Sequence, residues 1–182
     1  MYSVLEGINL EFFETVKTRR SIRAFARDEV SEDEIKQLLD AARLAPSAGN
    51  LQPWSFVIVK NDKIKHKLAE AALNQSFIEE APVVIVVLAD FNRSKLRYGN
   101  RGANLYCIQD TAAATQNILL AAVALGLGAC WVGAFQEDLV RFVLRVPEGF
   151  RPVAIVPIGR PSEKPISPKK LSLAEIVHYE TF

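Results

Sequence analysis

Residues 108–135 read IQDTAAATQNILLAAVALGLGACWVGAF, and from Ile118 to Phe135 the run carries no charge. It imitates a membrane span. However, Gln116 and Asn117 open it and Gly126 and Gly128 break it, whereas a spanning helix needs about 20 continuous apolar residues. A buried Ala/Leu helix from Ile108 to Leu125, followed by a short buried strand from Ala129 to Phe135, accounts for the run better. On its C-terminal side the sequence predicts a surface helix (Gln136 to Leu144), a strand (Pro152 to Ile158) and a Pro-rich loop (Gly159 to Pro168). Ser172-Leu-Ala-Glu175 is a capping-box pattern that starts a short terminal helix. On its N-terminal side lies a polar, Arg-rich segment, Asp90 to Asn104, read as a mobile loop. Before it, Val83 to Ala89 is nearly all β-branched and reads as a strand buried on both faces.

Further upstream, Asp62 to Leu73 reads as a helix after the turn Asn61-Asp62, and Ser55 to Lys60 as a strand. Ser31-Glu-Asp-Glu34 is a capping box, and the helix after it sets Ile35, Leu38, Leu39 and Ala42 on one face until Pro46 ends it. Leu10 to Thr18 reads as a first short helix. Helices and strands alternate without clean βαβ regularity, and no linker or repeat divides the chain, so one domain over residues 1–182 of α+β class or with a mixed sheet fits best.

About half of the 182 residues are hydrophobic, enough for a sizeable core. Lys+Arg is 22 and Asp+Glu is 21, so no electrostatic footprint points to nucleic acid or to an anionic membrane. Any basic site must be local. Cys107 and Cys130 share no metal-ligand spacing and lie in apolar surroundings, so they read as buried small hydrophobes. His66 and His178 are far apart, which speaks against a His-rich metal site. Met1 to Glu14 carries Glu6, Glu11 and Glu14 and no basic start, so it does not read as a signal peptide, and a cytoplasmic location is expected.

Three constellations could carry chemistry. Arg19, Arg20, Ser21 and Arg23 put three guanidinium groups and a hydroxyl within five residues, a set suited to phosphate oxygens. The plainer alternative is a solvated charge run at a helix end. Ser47, Gly49, Asn50 and Gln52 lie in a loop between a helix end and a strand start. Their amides suit the amide-like edge of a pyrimidine ring, although Ser-Ala-Gly-Asn is also ordinary turn chemistry. Gly126-Leu-Gly-Ala-Cys-Trp-Val-Gly133 imitates a dinucleotide-binding glycine loop, but it follows a helix, precedes a strand and has Trp131 at the third glycine position. There is no GxxxxGK[ST] phosphate loop either. The glycines read as a helix stop plus close backbone approach to a flat ligand.

Arg19-Arg-Ser-Ile-Arg23, Ala45-Pro-Ser-Ala-Gly-Asn-Leu-Gln-Pro-Trp54, Gly126-Leu-Gly-Ala-Cys-Trp-Val-Gly133 and Val156-Pro-Ile-Gly-Arg-Pro161 occur in this order. Over nearly the whole chain this succession resembles the FMN-dependent nitroreductase family. The resemblance implies an α+β fold with a central mixed or antiparallel sheet flanked by helices, and a dimer whose two chains form the flavin site together, with the Ala-rich helix Ile108 to Leu125 suited to the interface or simply to the core. It implies that Arg19, Arg20 and Ser21 hold the FMN phosphate and that Arg23 reaches the ribityl or pyrimidine edge. Pro46, Ser47, Asn50 and Gln52 would contact ribityl and ring, and Asn74 the pyrimidine edge. Val132 and Gly133 would present backbone N–H near flavin N5 and O4. Gly159 and Arg160, or Lys169 and Lys170, would complete the phosphate site. Many members carry an acidic residue where this chain has Val132.

The activity so implied is hydride transfer from NADH or NADPH through FMN to a small acceptor such as a nitroaromatic, quinone or enone, in ping-pong order. It needs no side-chain nucleophile, in keeping with the lack of a Ser-His-Asp or Cys-His set. The alternatives are a reductive dehalogenase on the same fold and a non-catalytic flavin-binding protein. Neither nucleic acid nor membrane is an expected partner.

Overall fold

The structure is a computed structural model that describes residues 12–182. The expected start of the first helix and most of the segment considered as a signal peptide lie outside the described residues.

β2 (Val83–Asp90) organises the rest. It pairs antiparallel with β1 (Trp54–Val59) on one side and with β4 (Phe150–Gly159) on the other. β3 (Gly128–Ala129) adds to the far edge of β4, giving the order β1-β2-β4-β3, antiparallel throughout. Because strand side chains alternate between faces, β2 feeds two cores. Val83, Ile85 and Val87 meet α2 (Glu32–Arg43) and α6 (Cys107–Ala124) through Leu38, Ala114, Ile118 and Ala122. Val84, Val86 and Leu88 meet α3 (Asp62–Ala71), α4 (Phe77–Glu80) and α7 (Glu137–Leu144) through Leu68, Ile78 and Val140. The result is an α+β sheet flanked by helices, as the family resemblance implies, and its strands are all antiparallel. α1 (Phe12–Thr18) precedes these layers and α8 (Leu173–Ile176) ends the chain.

Both capping boxes form. The Ser31 hydroxyl accepts from Glu34 N–H at 3.2 Å, and Glu34 returns a carboxylate to Ser31 N–H at 2.9 Å. Ser172 N–H donates to Glu175 at 2.8 Å. Cys107 and Cys130 are buried, and burial pushes both thiols up, which disfavours the thiolate. Among the described residues no helix is long and apolar enough to cross a membrane.

Two segments differ from expectation. Asp90 to Asn104 is not a loop. It forms α5 (Phe91–Arg101) and a π-helical turn, Gly102–Tyr106. Asp90 caps the helix by accepting from Arg93 N–H at 3.0 Å. Its buried anchor is Ser94 rather than an apolar side chain, and Gly102 packs so closely that a Cβ there would lie 2.3 Å from the Ser94 carbonyl oxygen. A helix held by serine and glycine shows no apolar period, so the pattern was invisible. The expected strand from Ala129 to Phe135 is cut to Gly128–Ala129. Opposite Cys130 stands Pro157, which accepts the Cys130 N–H but has no N–H to return, so the ladder lapses until Val132 and Ile155 exchange bonds at 2.9 and 3.0 Å.

Leu38 is fully buried where α2 meets the sheet and α6. Leu38→Ala is expected to cost about 2–5 kcal/mol, read by urea denaturation at neutral pH.

Candidate active site

Residues 19–23 owe their position to strand-like contacts with both ends of the sheet's edge. Ile22 N–H donates to Ala129 O at 3.0 Å, and Ser21 bridges Ala129 in parallel. On the other side Ala26 N–H reaches Arg160 O at 2.9 Å and Ser162 N–H reaches Ala24 O at 3.0 Å. Ile22 is buried against Gly128, where a Cβ would meet its side chain at 2.8 Å. With Ile22 turned inward, the adjacent Ser21 and Arg23 face the other way. Arg19, Arg20, Ser21 and Arg23 line a cleft of about 690 Å³ together with Lys17, Lys170 and residues 165–168.

The four polar side chains there are not equivalent. Arg20 is committed to protein: its guanidinium donates to Lys17 O and Arg19 O, each at 2.7 Å, and to Ser167 Oγ at 2.6 Å, fastening the chain's tail to the cleft. Ser21 stands over Cys130: burial raises that thiol, and nearby Arg23, the hydrogen bond with Ser21 and Arg19 partly offset the rise. Glu163 accepts from Arg23 N–H at 2.5 Å and Ala24 N–H at 3.2 Å, which holds the backbone of this segment in place. The Arg23 guanidinium lies over Phe77, 5.8 Å from the ring centre. That direction leads to the turn carrying Asn74, exposed and left-handed at φ 60°. Gln75 ties this turn to the segment after Gly133, donating to Ala72 O at 2.8 Å and Ala134 O at 3.1 Å. Gly133 is exposed, and a Cβ there would meet nothing within 4 Å, while Val132 beside it is buried.

Residues 46–52 do not line this cleft. Their loop is tightly held in an unusual backbone: Gly49, Asn50 and Gln52 all have positive φ, between 51° and 57°. Ser47 Oγ accepts from Gln52 N–H at 2.9 Å, and Arg93 and Arg97 of α5 donate to Gln52 O at 2.9 Å and Gly49 O at 3.3 Å. Underneath, Asp110 accepts from Ala48 N–H at 3.1 Å, while its other carboxylate oxygen is buried without a partner among the described residues. Burial therefore pushes Asp110 up, against the opposing pull of the Ala48 bond.

Of the remaining sequence candidates, Lys170 reaches the cleft, but Lys169, Gly159 and Arg160 do not. Arg160 is held by Glu34 at 2.5 Å and by Leu125 O at 3.3 Å. Gly159 is buried, and its missing Cβ makes room for Pro82 and Phe25. Their places are set by packing at the end of β4, which a motif does not reveal. Sequence reading missed Lys17, Ser167, Glu163, Phe77, Gln75 and Asp110. Only Asp110 carried a signal, as the one charged residue in the 18-residue α6.

A sequence profile described as the Nitroreductase family matches residues 16–76 and 71–160. A protein of Methanothermobacter thermautotrophicus named NADH dehydrogenase/NAD(P)H nitroreductase is 39% identical over 160 residues, 86% of this chain and 80% of its own length. An NADH dehydrogenase of Thermus thermophilus is 33% identical, covering 87% of this chain and 91% of its own. Among solved structures, the NADPH:FMN oxidoreductase of Vibrio harveyi, complexed with NAD+, superposes with a TM-score of 0.87 at 26% identity, over 94% of this chain and 77% of that one.

Asp110 supplies a pH test of this geometry. Its carboxyl is raised in the fold, so its contribution to stability is full below the unfolded value of about 3.9 and is lost as pH rises through the folded value. Asp110→Asn keeps an acceptor for Ala48 and removes the titration. Urea unfolding should show the variant gaining stability relative to the parent between pH 4 and pH 8. An equal difference at both pH values would contradict a buried, under-paired carboxylate.

Proposed function

The chain belongs to the nitroreductase family, and from that premise we propose that it is a cytoplasmic FMN-dependent oxidoreductase using NAD(P)H as donor and a small organic molecule as acceptor. The observation that carries this reading is the cleft in which Arg19, Ser21, Arg23 and Lys170 converge. Its donor set suits a phosphate monoester: among the described residues no carboxylate pairs with the guanidinium of Arg19 or Arg23 or with the ammonium of Lys170. The open space at Gly133 leaves room for a flat ring against backbone. The residues present therefore fit FMN.

In this proposal Arg19 and Lys170 hold the phosphate, with the Ser21 hydroxyl as a neutral donor, and Arg20 keeps the tail closed over that end. Arg23, aimed at Phe77, serves the ring end, and Asn74 and the Gly133 backbone lie on the same side. FMN held there would supply the hydride chemistry between donor and acceptor, which would bind in turn. Arg23 would offset negative charge at that end of the ring. Buried Val132 helps keep water from that end.

The second half of the site comes from another copy of the chain. Pro46, Ser47, Asn50 and Gln52 sit outside the cleft in their own chain, so the loop of one subunit meets the cleft of its partner. The surface supports this assembly. Phe12, Phe13 and Val16 on α1, and Ile166, Leu171, Leu173, Ile176, Tyr179 and Phe182 in the tail, are all exposed large apolar side chains. Exposed large apolar side chains gathered in these two segments, rather than scattered singly, suit a surface that another chain covers. α6 contributes less, since Ala114, Ile118 and Ala122 are spent on the chain's own core.

The purified protein should carry about one FMN per chain, bleached by NADH or NADPH, and should scatter light as a dimer. A colourless protein without flavin affinity would overturn the reading, and flavin that no donor bleaches would mark a non-catalytic binder. Arg19→Ala should weaken FMN binding roughly tenfold to a hundredfold, the equivalent of one charged hydrogen bond. Arg23→Ala should instead lower the flavin reduction potential, with a smaller loss of affinity. Dye-coupled potential measurements on both variants check the division of labour.

A further inference from the structure

α5 carries a cationic face that the flavin reading leaves unused. Arg93 and Arg97, four residues apart, share one side of the helix before its kink, and Arg101 follows the kink; Lys95 adds a further cation on the same helix. The helix, FNRSKLRYGNR, holds no acid. Only Arg93 has a carboxylate partner, Asp90 at its cap, 3.3 Å away. Among the described residues Lys95, Arg97 and Arg101 have none. All four cations are exposed.

Two tyrosines are built into the same face. The Arg97 guanidinium lies 5.6 Å from the ring centre of Tyr98, and that of Arg101 lies 5.4 Å from the ring centre of Tyr106. The rings meet edge to face, with centres 5.3 Å apart and planes at 79°. Arg101 Nε also donates to the Tyr106 hydroxyl at 3.0 Å. This order is possible because the chain kinks at Tyr98 and Gly99, the latter at φ 56° and ψ −146°, and then passes through the π-helical turn that returns Tyr106 beside Tyr98. Uncompensated guanidinium groups repel one another, and aromatic faces beside them offer stacking to a flat base. Such a set suits a planar aromatic group bearing a phosphate dianion.

The face is also next to the flavin loop. Arg97 and Arg93 reach Gly49 O and Gln52 O, and the Tyr98 hydroxyl packs against Gly49, where a Cβ would lie 2.5 Å away. We infer that Arg97 and Arg101, with Tyr98 and Tyr106, form the subsite for the 2′-phosphoadenosine end of the donor, so that the enzyme prefers NADPH to NADH. This rests on the reading that residues 46–52 border the flavin: a donor whose nicotinamide lies on that ring extends its adenosine over the adjoining α5. Both donors share the pyrophosphate, so the 2′-phosphate is the group that an arginine-rich rim can select.

Two measurements test it. Calorimetry with adenosine 2′,5′-bisphosphate and with 5′-AMP needs no flavin chemistry. The bisphosphate should bind the parent protein about tenfold to a hundredfold more tightly, and Arg101→Gln should remove most of that difference. On flavin-loaded protein, the ratio of kcat/KM for NADPH to that for NADH should exceed about ten and fall about tenfold in Arg101→Gln. The conservative variant Arg101→Lys should retain part of the ratio, because charge survives while the planar fork is lost. A merely structural role would lower both donors together and leave the ratio unmoved. Equal binding of the two nucleotides, or a preference that Arg101→Gln leaves intact, overturns the subsite. A colourless protein that still selects the bisphosphate through Arg101 keeps the subsite and discards the oxidoreductase reading.

Discussion

The double-sided burial of β2 is the constraint on which the remaining structure depends. Seven successive residues, Val83 to Ala89, are buried, so both faces of the strand need cover and both edges need a hydrogen-bonding neighbour. β1 and β4 satisfy the edges. α2 and α6 cover one face, and α3, α4 and α7 the other. A backbone group left unpaired at that depth would cost about 1–3 kcal/mol, so the order of strands is tightly constrained. The segment at residues 19–23 and the loop at residues 46–52 lie outside these paired strands, where irregular backbone can exist.

The cleft follows from that arrangement. β4 runs past β2 far enough for Gly159 to pair with Gly128, and β3 in turn offers Ala129 O to Ile22. The chain between α1 and α2 is therefore drawn along the sheet edge in extended form. One inward residue, Ile22, turns its neighbours Ser21 and Arg23 to the other side. Glu163 and Arg20 then tie the returning tail to the same place. The loop at residues 46–52 is built on another principle. Its left-handed residues are held by side chains from α5, from α6 and from within the loop, which is how a strained backbone persists.

Glu34 shows how local and distant interactions share a residue. Burial pushes its carboxyl up, but hydrogen bonds from Ser31 and Arg160 outweigh that and keep it below the usual range. The same carboxylate that caps α2 thus holds Arg160, and Arg160 is thereby kept from the cleft that a neighbouring motif position had suggested.

The α+β class, both capping boxes, the doubly buried strand and the Arg19–Arg23 cluster were legible because each is written in nearest-neighbour chemistry: a cap spacing, a β-branched run, a density of guanidinium groups. α5 was not legible, since its buried contact is a serine beneath a glycine, and small residues leave no apolar period. Nor could the sequence distinguish Lys170 from Lys169, or Arg160 from Arg23, because equal charges become different only when the fold gives one an acidic partner and another an open cleft. The sequence by itself determined which segments must be buried and where charge is concentrated. Only the tertiary structure decided which of those charges are neutralised, for that depends on distances between residues that the chain brings together from more than a hundred positions apart, as Glu34 and Arg160 are.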